Sequence, residues 1–252
     1  MTFREERIGN QRLILGDCLE VMPTLGRFDA VVTDPPYGMN FRSNYRSRRW
    51  GFIASDEESW PVEWAVSLGA DHSKYIWMRW DNLATIPKPR SLITWVKNNH
   101  SMGDLTGEHG RQTEVCAFYR GPNHFFPGGR PNDVVFAPRT GNEFHPTEKP
   151  TSLMIEVVRW TAGNVFDPFM GSGTTLVACQ KLGRHGTGIE IDPDYFEIAC
   201  RRVDEAARQP DLFIEAAPKP TQEAMDLRSR RGRNERDKDM RLSRLWKQVE
   251  PR

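Results

Sequence analysis

The segment Asp34-Pro35-Pro36-Tyr37 places an acid and an aromatic ring directly after a short apolar run, residues 28–33. That run is rich in β-branched residues and predicts a buried strand. Two consecutive prolines fix φ twice and remove two amide donors, so the chain must leave the sheet there. Ligands of open α/β sheets bind at the carboxyl ends of the strands. These four residues are therefore candidate catalytic residues, and a proline turn with a capping acid is the structural alternative.

A second turn, residues 167–175, combines an acid with a glycine-rich sequence that begins a predicted helix. Gly171 and Gly173 let the backbone approach a ligand closely and direct helix-terminal N–H groups toward it. The turn is not a P-loop, because no lysine follows the second glycine. Glu190 ends the next predicted strand, where an acid suits a ribose diol. These features favour a nucleoside-containing cofactor over a plain glycine turn with an exposed acid.

Strands and helices alternate around both turns. The predicted strands are residues 11–15, 28–33, 74–78, 91–96, 114–119, 165–166 and 184–191. The predicted helices are residues 18–23, 59–70 and 151–160, a helix from the glycine-rich turn to about 183, and 193–208. This alternation predicts an α/β fold with parallel βαβ units. From about residue 209 the chain mixes both charges densely, which predicts a charged tail over 209–252 beyond a domain over 1–208.

Two segments combine arginine with aromatic or glycine- and proline-rich sequence, at about residues 38–58 and 121–144. Arginine interleaved with rings is the composition of surfaces that grip phosphate and stack on bases. Because the first segment follows the Asp34 turn, the sequence favours DNA contact there over a solvated loop. The candidate DNA-binding residues are Arg42, Tyr45, Arg46, Arg48, Arg49, Arg130 and Arg139.

Composition excludes several classes of protein. The 252 residues carry a net charge of +1 and are 38% hydrophobic, as expected of a globular, polar chain. The four cysteines form no CxxC pair, and histidines show no metal-ligand spacing, so neither a disulfide framework nor a metal site is expected. No apolar run is long enough to span a bilayer and the first ten residues lack a signal-peptide core, so we expect a cytoplasmic protein.

Three motifs in one order resemble those of a known family. The segments 166–174, 34–37 and 145–150 (FDPFMGSGT, DPPY and HPTEKP) resemble motifs I, IV and X of the S-adenosylmethionine-dependent amino-methyltransferases of DNA. The catalytic turn precedes the cofactor turn, as in the circularly permuted β class, which includes cell-cycle-regulated and type II adenine methyltransferases. The resemblance implies a doubly wound, mostly parallel seven-stranded sheet of the class I methyltransferase type, circularly permuted. It also implies S-adenosylmethionine as cofactor, S-adenosylhomocysteine as product and double-stranded DNA as substrate.

The same resemblance implies roles for individual residues. Asp34 and the carbonyl of Pro35 accept the amino hydrogens of the target base, and Tyr37 stacks on a base flipped out of the helix. Glu190 holds the ribose, Asp17 lies near the adenine ring or only caps a helix, and Thr147 and Lys149 lie near the cofactor carboxylate. The expected cofactor-binding residues are Asp17, Cys18, Thr147, Lys149, Asp167, Pro168, Phe169, Gly171, Ser172, Gly173, Thr174, Glu190 and Ile191.

Several questions stay open at the level of sequence. The exocyclic amine of cytosine poses the same chemical problem, and the permuted class includes cytosine-N4 enzymes. Those enzymes more often carry Ser at the position of Asp34, so the motif favours adenine. A DNA-binding protein with an inactive methyltransferase fold is the alternative from another class, against which the intact motifs argue. The recognition sequence, a partner nuclease and a homodimer are not readable from the chain, which we expect to be encoded by a bacterium or phage.

Overall fold

The computed structural model describes residues 3–37, 60–100, 106–107, 109–140 and 148–208, which all belong to one unit, Met1–Ala217. Its sheet contains the following strands in these residues: β1 (Arg4–Ile8), β2 (Gln11–Leu15), β3 (Ala30–Thr33), β4 (Ser73–Met78), β5 (Ser91–Val96), β6 (Thr113–Arg120), β7 (Val134–Phe136), β8 (Val165–Asp167) and β9 (Gly186–Glu190). Their order across the sheet is β1-β2-β9-β8-β3-β4-β6-β5-β7. The predicted segment 38–58, Thr147 and the tail lie outside the described residues.

The sheet is mostly parallel, as expected, but it has nine strands where seven were predicted. Seven central strands run from β2 to β5, and among them β6 alone is antiparallel to its neighbours. The two additional strands lie at the edges: β1 pairs antiparallel with β2, and β7 pairs parallel with β5. Strand β1 has the sequence REERI, and its charged residues suit an edge strand while hiding the apolar alternation by which strands are predicted.

Helices cover both faces of the sheet, so the doubly wound architecture is confirmed. They are α1 (Cys18–Val21), α2 (Trp60–Ser67), α3 (Thr151–Arg159), α4 (Thr174–Lys181) and α5 (Pro193–Arg208), with 3₁₀ turns at Met22–Thr24 and Trp80–Ala84. Successive strand residues point to opposite faces. Val32 packs with Leu153 of α3 and Ala178 of α4, whereas Val31 packs with Val21 of α1.

The permuted chain order leaves the two candidate turns side by side. Strand β3, which precedes the Asp34 turn, pairs in parallel with β8, which precedes the glycine-rich turn. In this register Ala30 is opposite Val165 and Val31 is opposite Phe166. Both turns therefore leave the sheet at its carboxyl edge, next to each other, although more than half of the chain separates them. Among the described helices, none has the length and apolar character that a bilayer crossing requires.

Candidate active site

A buried hydrogen bond joins the two turns. The Thr33 hydroxyl, on the last residue of β3, donates to Asp167 Oδ1 at 2.6 Å, and both residues are almost fully buried. Asp167 Oδ2 accepts from the Thr175 hydroxyl at 2.6 Å, and the Phe169 N–H donates to Oδ1 at 3.1 Å. Burial raises the pKa of Asp167 to about 6, while these three donors favour its ionised form. The carboxylate of Asp167 thus holds the glycine-rich turn against the catalytic strand.

Asp34, Tyr37 and Lys149 meet at the end of β3. The Lys149 ammonium donates to Asp34 Oδ2 at 2.6 Å and to the Tyr37 hydroxyl oxygen at 3.1 Å. The Tyr37 hydroxyl in turn donates to Asp34 Oδ1. The Lys149 side chain is only 4% exposed, whereas that of Asp34 is 23% exposed. A partly accessible carboxylate is therefore held on both oxygens, directly before the two prolines.

Burial and charge act in opposite directions on these groups. Burial raises the pKa of Asp34, and the nearby Lys149 charge and the two hydrogen bonds oppose that rise. For Lys149, burial disfavours the ammonium, but the carboxylates of Asp34 and Glu114 outweigh it and the pKa is raised. Burial and the Asp34 charge raise the pKa of Tyr37. Tyr37 stays neutral at physiological pH, so it can donate to the carboxylate but cannot act as a base.

The glycine-rich turn is tied to Glu190 at the end of β9. The Gly171 N–H donates to Glu190 Oε2 at 2.8 Å, and the Asp192 N–H donates to Oε1 at 2.8 Å. Burial raises the pKa of Glu190 to about 7. Gly173 caps α4 with a φ of 82°, and a Cβ there would lie 2.9 Å from the Cβ of Ala199, so a side chain is excluded. The acid, the turn and the helix terminus thus lie together at the carboxyl edge of the sheet.

The end of β2 completes this edge of the sheet. The Gly16 N–H donates to the Glu190 carbonyl at 2.9 Å, which brings the next two residues, Asp17 and Cys18, beside the end of β9. Asp17 is the N-cap of α1, because its Oδ1 accepts from the Leu19 N–H at 2.8 Å. Burial raises the pKa of Cys18 to about 12, so its thiol is not a nucleophile near neutral pH. Ile191, which follows Glu190, is 48% exposed and offers an apolar surface.

The structure brings together most of the predicted site residues that it describes, with one unexpected placement. The turns that contain Asp34, Tyr37, Asp167, Pro168, Phe169, Gly171 and Glu190 share the carboxyl edge, and Tyr37 and Phe169 pack against the same apolar cluster. Lys149 was predicted near a cofactor carboxylate, which stays a prediction, and its ammonium contacts Asp34. The predicted residues Thr147, Arg42, Tyr45, Arg46, Arg48 and Arg49 lie outside the described residues.

Ser172 and Thr174 are held by Arg202, a residue that the sequence analysis did not single out. Arg202 of α5 donates to the Ser172 hydroxyl at 2.7 Å, to the Ser172 carbonyl at 2.8 Å and to the Thr174 hydroxyl at 3.1 Å. It also pairs with Glu148 at 3.1 Å, with both side chains less than 10% exposed. The signal was present: Arg202 lies beside Val203 on the apolar stripe of an amphipathic helix. A cation on that stripe needs a buried anion or carbonyl.

The candidate DNA contacts divide between the two ends of β7. Arg139 follows this strand, and its N–H donates to Asn98 Oδ1 at 3.1 Å, so it belongs to the carboxyl edge. Arg130 is exposed but precedes the strand, away from that edge. Two exposed aromatic residues were not predicted: Trp80, after β4, is 63% exposed, and Phe136, at the end of β7, is 79% exposed. Composition alone cannot show which aromatic residues remain outside a core.

Comparison with known proteins agrees with this geometry. A family model of N6/N4 DNA methylases matches residues 131–201. YubD of Escherichia coli K12, described as a methylase, is 32% identical over 220 residues, covering 78% of this chain and 92% of its own. The type II methyltransferase M.HpaI of Haemophilus parainfluenzae is 26% identical over 235 residues, covering 77% and 74%.

Solved structures show the same fold. The crystal structure of the M1.HpyAVI–SAM complex has 24% identity and a TM-score of 0.57, covering 76% of this chain and 99% of that chain. PvuII DNA methyltransferase, described as cytosine-N4-specific, has 15% identity and a TM-score of 0.59, covering 91% and 96%. The architecture is that of a class I methyltransferase. The chain belongs to the N6/N4 DNA methyltransferase family, an enzyme class that uses S-adenosylmethionine to methylate DNA.

The residues at the glycine-rich edge fit this cofactor. The carboxylate of Glu190 suits two ribose hydroxyls, and exposed Ile191 suits an apolar ring face. Gly171 and Gly173 have positive φ and carry no side chain, so a ligand can approach the backbone of this turn closely. In the described part of the chain, no cluster of three or more His, Cys, Asp or Glu side chains is arranged to hold a metal ion.

Proposed function

We propose that the enzyme methylates the exocyclic N6 amine of adenine in DNA, with Asp34 and the carbonyl of Pro35 as the groups that activate the amine. The observation that supports this most is the Asp34 carboxylate, partly exposed at the end of β3 and held next to the glycine-rich turn. The resemblance of Asp34-Pro35-Pro36-Tyr37 to motif IV of adenine enzymes selects this base, because cytosine-N4 enzymes more often carry Ser at the first position.

The exocyclic amine is a weak nucleophile because its lone pair is delocalised into the ring. A carboxylate has about four lone-pair directions, so Asp34 can accept an amino hydrogen while it is bound by Lys149. The Pro35 carbonyl accepts a hydrogen bond from the second amino hydrogen. Two acceptors localise the lone pair on nitrogen, and Asp34 removes the proton as the new bond forms. When bound, the cofactor supplies the methyl group.

Tyr37 has two parts with separate roles. Its ring lies beside Asp34 at the carboxyl edge and stacks on the flipped base. Its hydroxyl donates to Asp34 Oδ1 and leaves that oxygen an acceptor, so the ring and the carboxylate are held at a constant distance. Because Lys149 also donates to this hydroxyl oxygen, the ring cannot swing out without breaking two hydrogen bonds. The stacking surface is thus preorganised before DNA arrives.

DNA reaches the carboxyl edge of the sheet in this proposal. Trp80 follows β4, and Phe136 and Arg139 lie at the end of β7 and just after it. They offer two stacking surfaces and one cation at that edge. The segment 38–58 follows Tyr37 directly in the sequence, and its Arg42, Tyr45, Arg46, Arg48 and Arg49 are the further candidates for DNA contact. The catalytic domain extends over residues 1–208, and the tail 209–252 is a separate segment. The enzyme acts as a homodimer, which sedimentation analysis of the full chain tests.

Identification of the modified base tests the proposal. The enzyme is incubated with labelled S-adenosylmethionine and unmethylated mixed-sequence DNA, and the nucleosides are separated by mass spectrometry. We expect label in N6-methyladenine with the natural sequence and none with Asp34→Ala, which still binds the cofactor. Label in N4-methylcytosine would overturn the choice of base, and no label on any DNA would favour an inactive DNA-binding protein.

A further inference from the structure

Behind Asp34 lies a row of four side chains whose charges alternate. Lys149 Nζ is 2.6 Å from Asp34 Oδ2 and 3.2 Å from Glu114 Oε2. Glu114 Oε1 accepts from Lys97 Nζ at 2.5 Å. The row runs from the turn after β3, through the segment before α3, to the start of β6 and the residue after β5. Four separate parts of the chain therefore contribute one charge each, and we call this set the charge row.

The two cations of the charge row are enclosed by protein. The side chains of Lys149 and Lys97 are 4% and 8% exposed. Aromatic rings cover what the carboxylates leave open: Lys149 Nζ is 5.7 Å from the centre of the Trp77 ring, and Lys97 Nζ is 5.0 Å from that of Trp95. Removing an ion from water is strongly unfavourable unless opposite charges and ring faces compensate. Here two cations and two anions balance, so loss of either carboxylate leaves a buried ammonium without its partner.

Resting on the proposed function of Asp34, we propose that Lys149 is a positioning residue of the catalytic carboxylate, itself held by Glu114 and Lys97, and is not a ligand of the cofactor. Lys149 occupies Oδ2, and Tyr37 contacts Oδ1, so the carboxylate plane has one orientation. Its charge also keeps Asp34 ionised in a buried setting. A protonated Asp34 would carry a hydroxyl on one oxygen and could not remove a proton from the amine.

The sign of the pH effect follows from this arrangement. Burial raises the pKa of Asp34 and Lys149 opposes the rise, so an uncharged residue at 149 moves that pKa upward. Asp34 must be ionised for transfer, hence the rising limb of the pH–rate profile moves to higher pH. Burial raises the pKa of Asp167, which faces Asp34 from β8, to about 6, and this group titrates in both proteins. The other ionisable groups that face the pair are Tyr37, Glu114 and Cys116.

The test compares Lys149→Met with Lys149→Arg and with Lys88→Met, which removes an exposed lysine outside the site. The readouts are total methyl incorporated into DNA from pH 5.5 to 9.5 and the Kd for S-adenosylmethionine. We expect Lys149→Met to lower kcat at pH 7 by about 100-fold, to regain much of it at pH 9, and to leave the cofactor Kd within about twofold. Lys149→Arg should keep the position of the rising limb, as should Lys88→Met.

Two outcomes would overturn the proposal. One is a cofactor Kd raised tenfold or more in Lys149→Met with an unchanged pH profile, which would make Lys149 a cofactor ligand. The other is an equal loss of activity at every pH in both Lys149→Met and Lys97→Met, with the rising limb of the pH–rate profile unmoved. Lys97→Met keeps the question answerable if Lys149→Met does not fold, because it weakens the row without touching Asp34 and should shift the limb less. Total incorporation is independent of which base is methylated, so failure of the adenine proposal is separately visible.

Discussion

The Thr33 hydroxyl donates to Asp167 Oδ1 at 2.6 Å, and this bond ties the catalytic turn to the cofactor turn inside the sheet. Thr33 is the last residue of β3 and directly precedes the catalytic turn. Asp167 is the last residue of β8 and begins the glycine-rich turn. Both side chains are buried, so water cannot replace either partner of this hydrogen bond. This contact adds to the pairing of β3 with β8 in fixing the relative position of the two halves of the active site.

Thr33→Val removes this hydroxyl while keeping the shape of the side chain. We expect a loss of about 1–3 kcal/mol in the free energy of unfolding, because a buried carboxyl loses one of three donors. The pKa of Asp167, already raised by burial to about 6, should rise further. Urea unfolding monitored by tryptophan fluorescence measures the change. Thr113→Val, at an exposed position of β6, is the control and should change stability by less than about 0.5 kcal/mol. Equal losses in both variants would contradict this role.

Glu190 makes the stability of the cofactor-free enzyme depend on pH. Burial raises its pKa in the folded state to about 7, above the value of about 4.3 expected when unfolded. The folded state therefore binds the proton more tightly, and this stabilising contribution is present at low pH and is lost as pH rises through 7. We expect the urea concentration at the unfolding midpoint to decrease as the pH is raised from 5 to 8.

Glu190→Gln should flatten that pH dependence, leaving the smaller part that comes from Asp167. Glu20→Gln, at an exposed carboxyl of α1, is the matched control and should keep the slope of the natural sequence. Saturating S-adenosylmethionine should also flatten the slope of the natural sequence, since ribose hydroxyls stabilise the ionised form. A slope that is the same in all three proteins would show that Glu190 does not titrate in this window.

Arg202 supports the glycine-rich turn from α5. Arg202→Met removes the hydrogen bonds to Ser172 and Thr174 and leaves Glu148, whose side chain is 5% exposed, without this cation. We expect a loss of about 3–5 kcal/mol in the free energy of unfolding, as for one partner of a buried ion pair. Arg208→Met breaks an exposed pair with Asp204 on the same helix and should cost less than about 1 kcal/mol. The double variant Arg202→Met/Glu148→Gln should recover part of the loss, and strict additivity would exclude the coupling.

DNA binding should depend on charge and on stacking in separable ways. Neutralising Arg46, Arg48 and Arg49 together should weaken DNA binding and reduce the slope of log K against log salt by about 3, because each phosphate contact contributes about 0.9. The measurement is fluorescence anisotropy with duplex DNA from 50 to 300 mM salt. An unchanged slope would return this segment to a solvated loop.

Trp80→Ala is the uncharged counterpart in the same assay. It should weaken binding by about 1–3 kcal/mol, the worth of one stacked base, with the salt slope retained. Because Trp80 is 63% exposed, the thermal stability of the protein should change little. A variant that lost stability instead of affinity would place this ring in the structural core.

The elements and motifs of this chain are legible because they depend on neighbouring residues. Prolines after an apolar run end β3, glycines with positive φ shape the cofactor turn, and Asp192 with Pro193 begins α5, whose bounds match the prediction. The strand Ser91–Val96 was also predicted residue for residue. The order of the three motifs indicated the family, which the relatives confirm.

Contacts between distant segments could not be read in this way. The contact of the Lys149 ammonium with Asp34 was not predicted, because it forms only where the segment before α3 passes beside the end of β3. The charged strand β1 forms only because β2 offers it an edge, and the exposure of Trp80 depends on which surfaces the helices leave uncovered. Local sequence sets backbone preferences over a few residues, whereas the partner of a buried charge is determined by which strands become neighbours in the sheet.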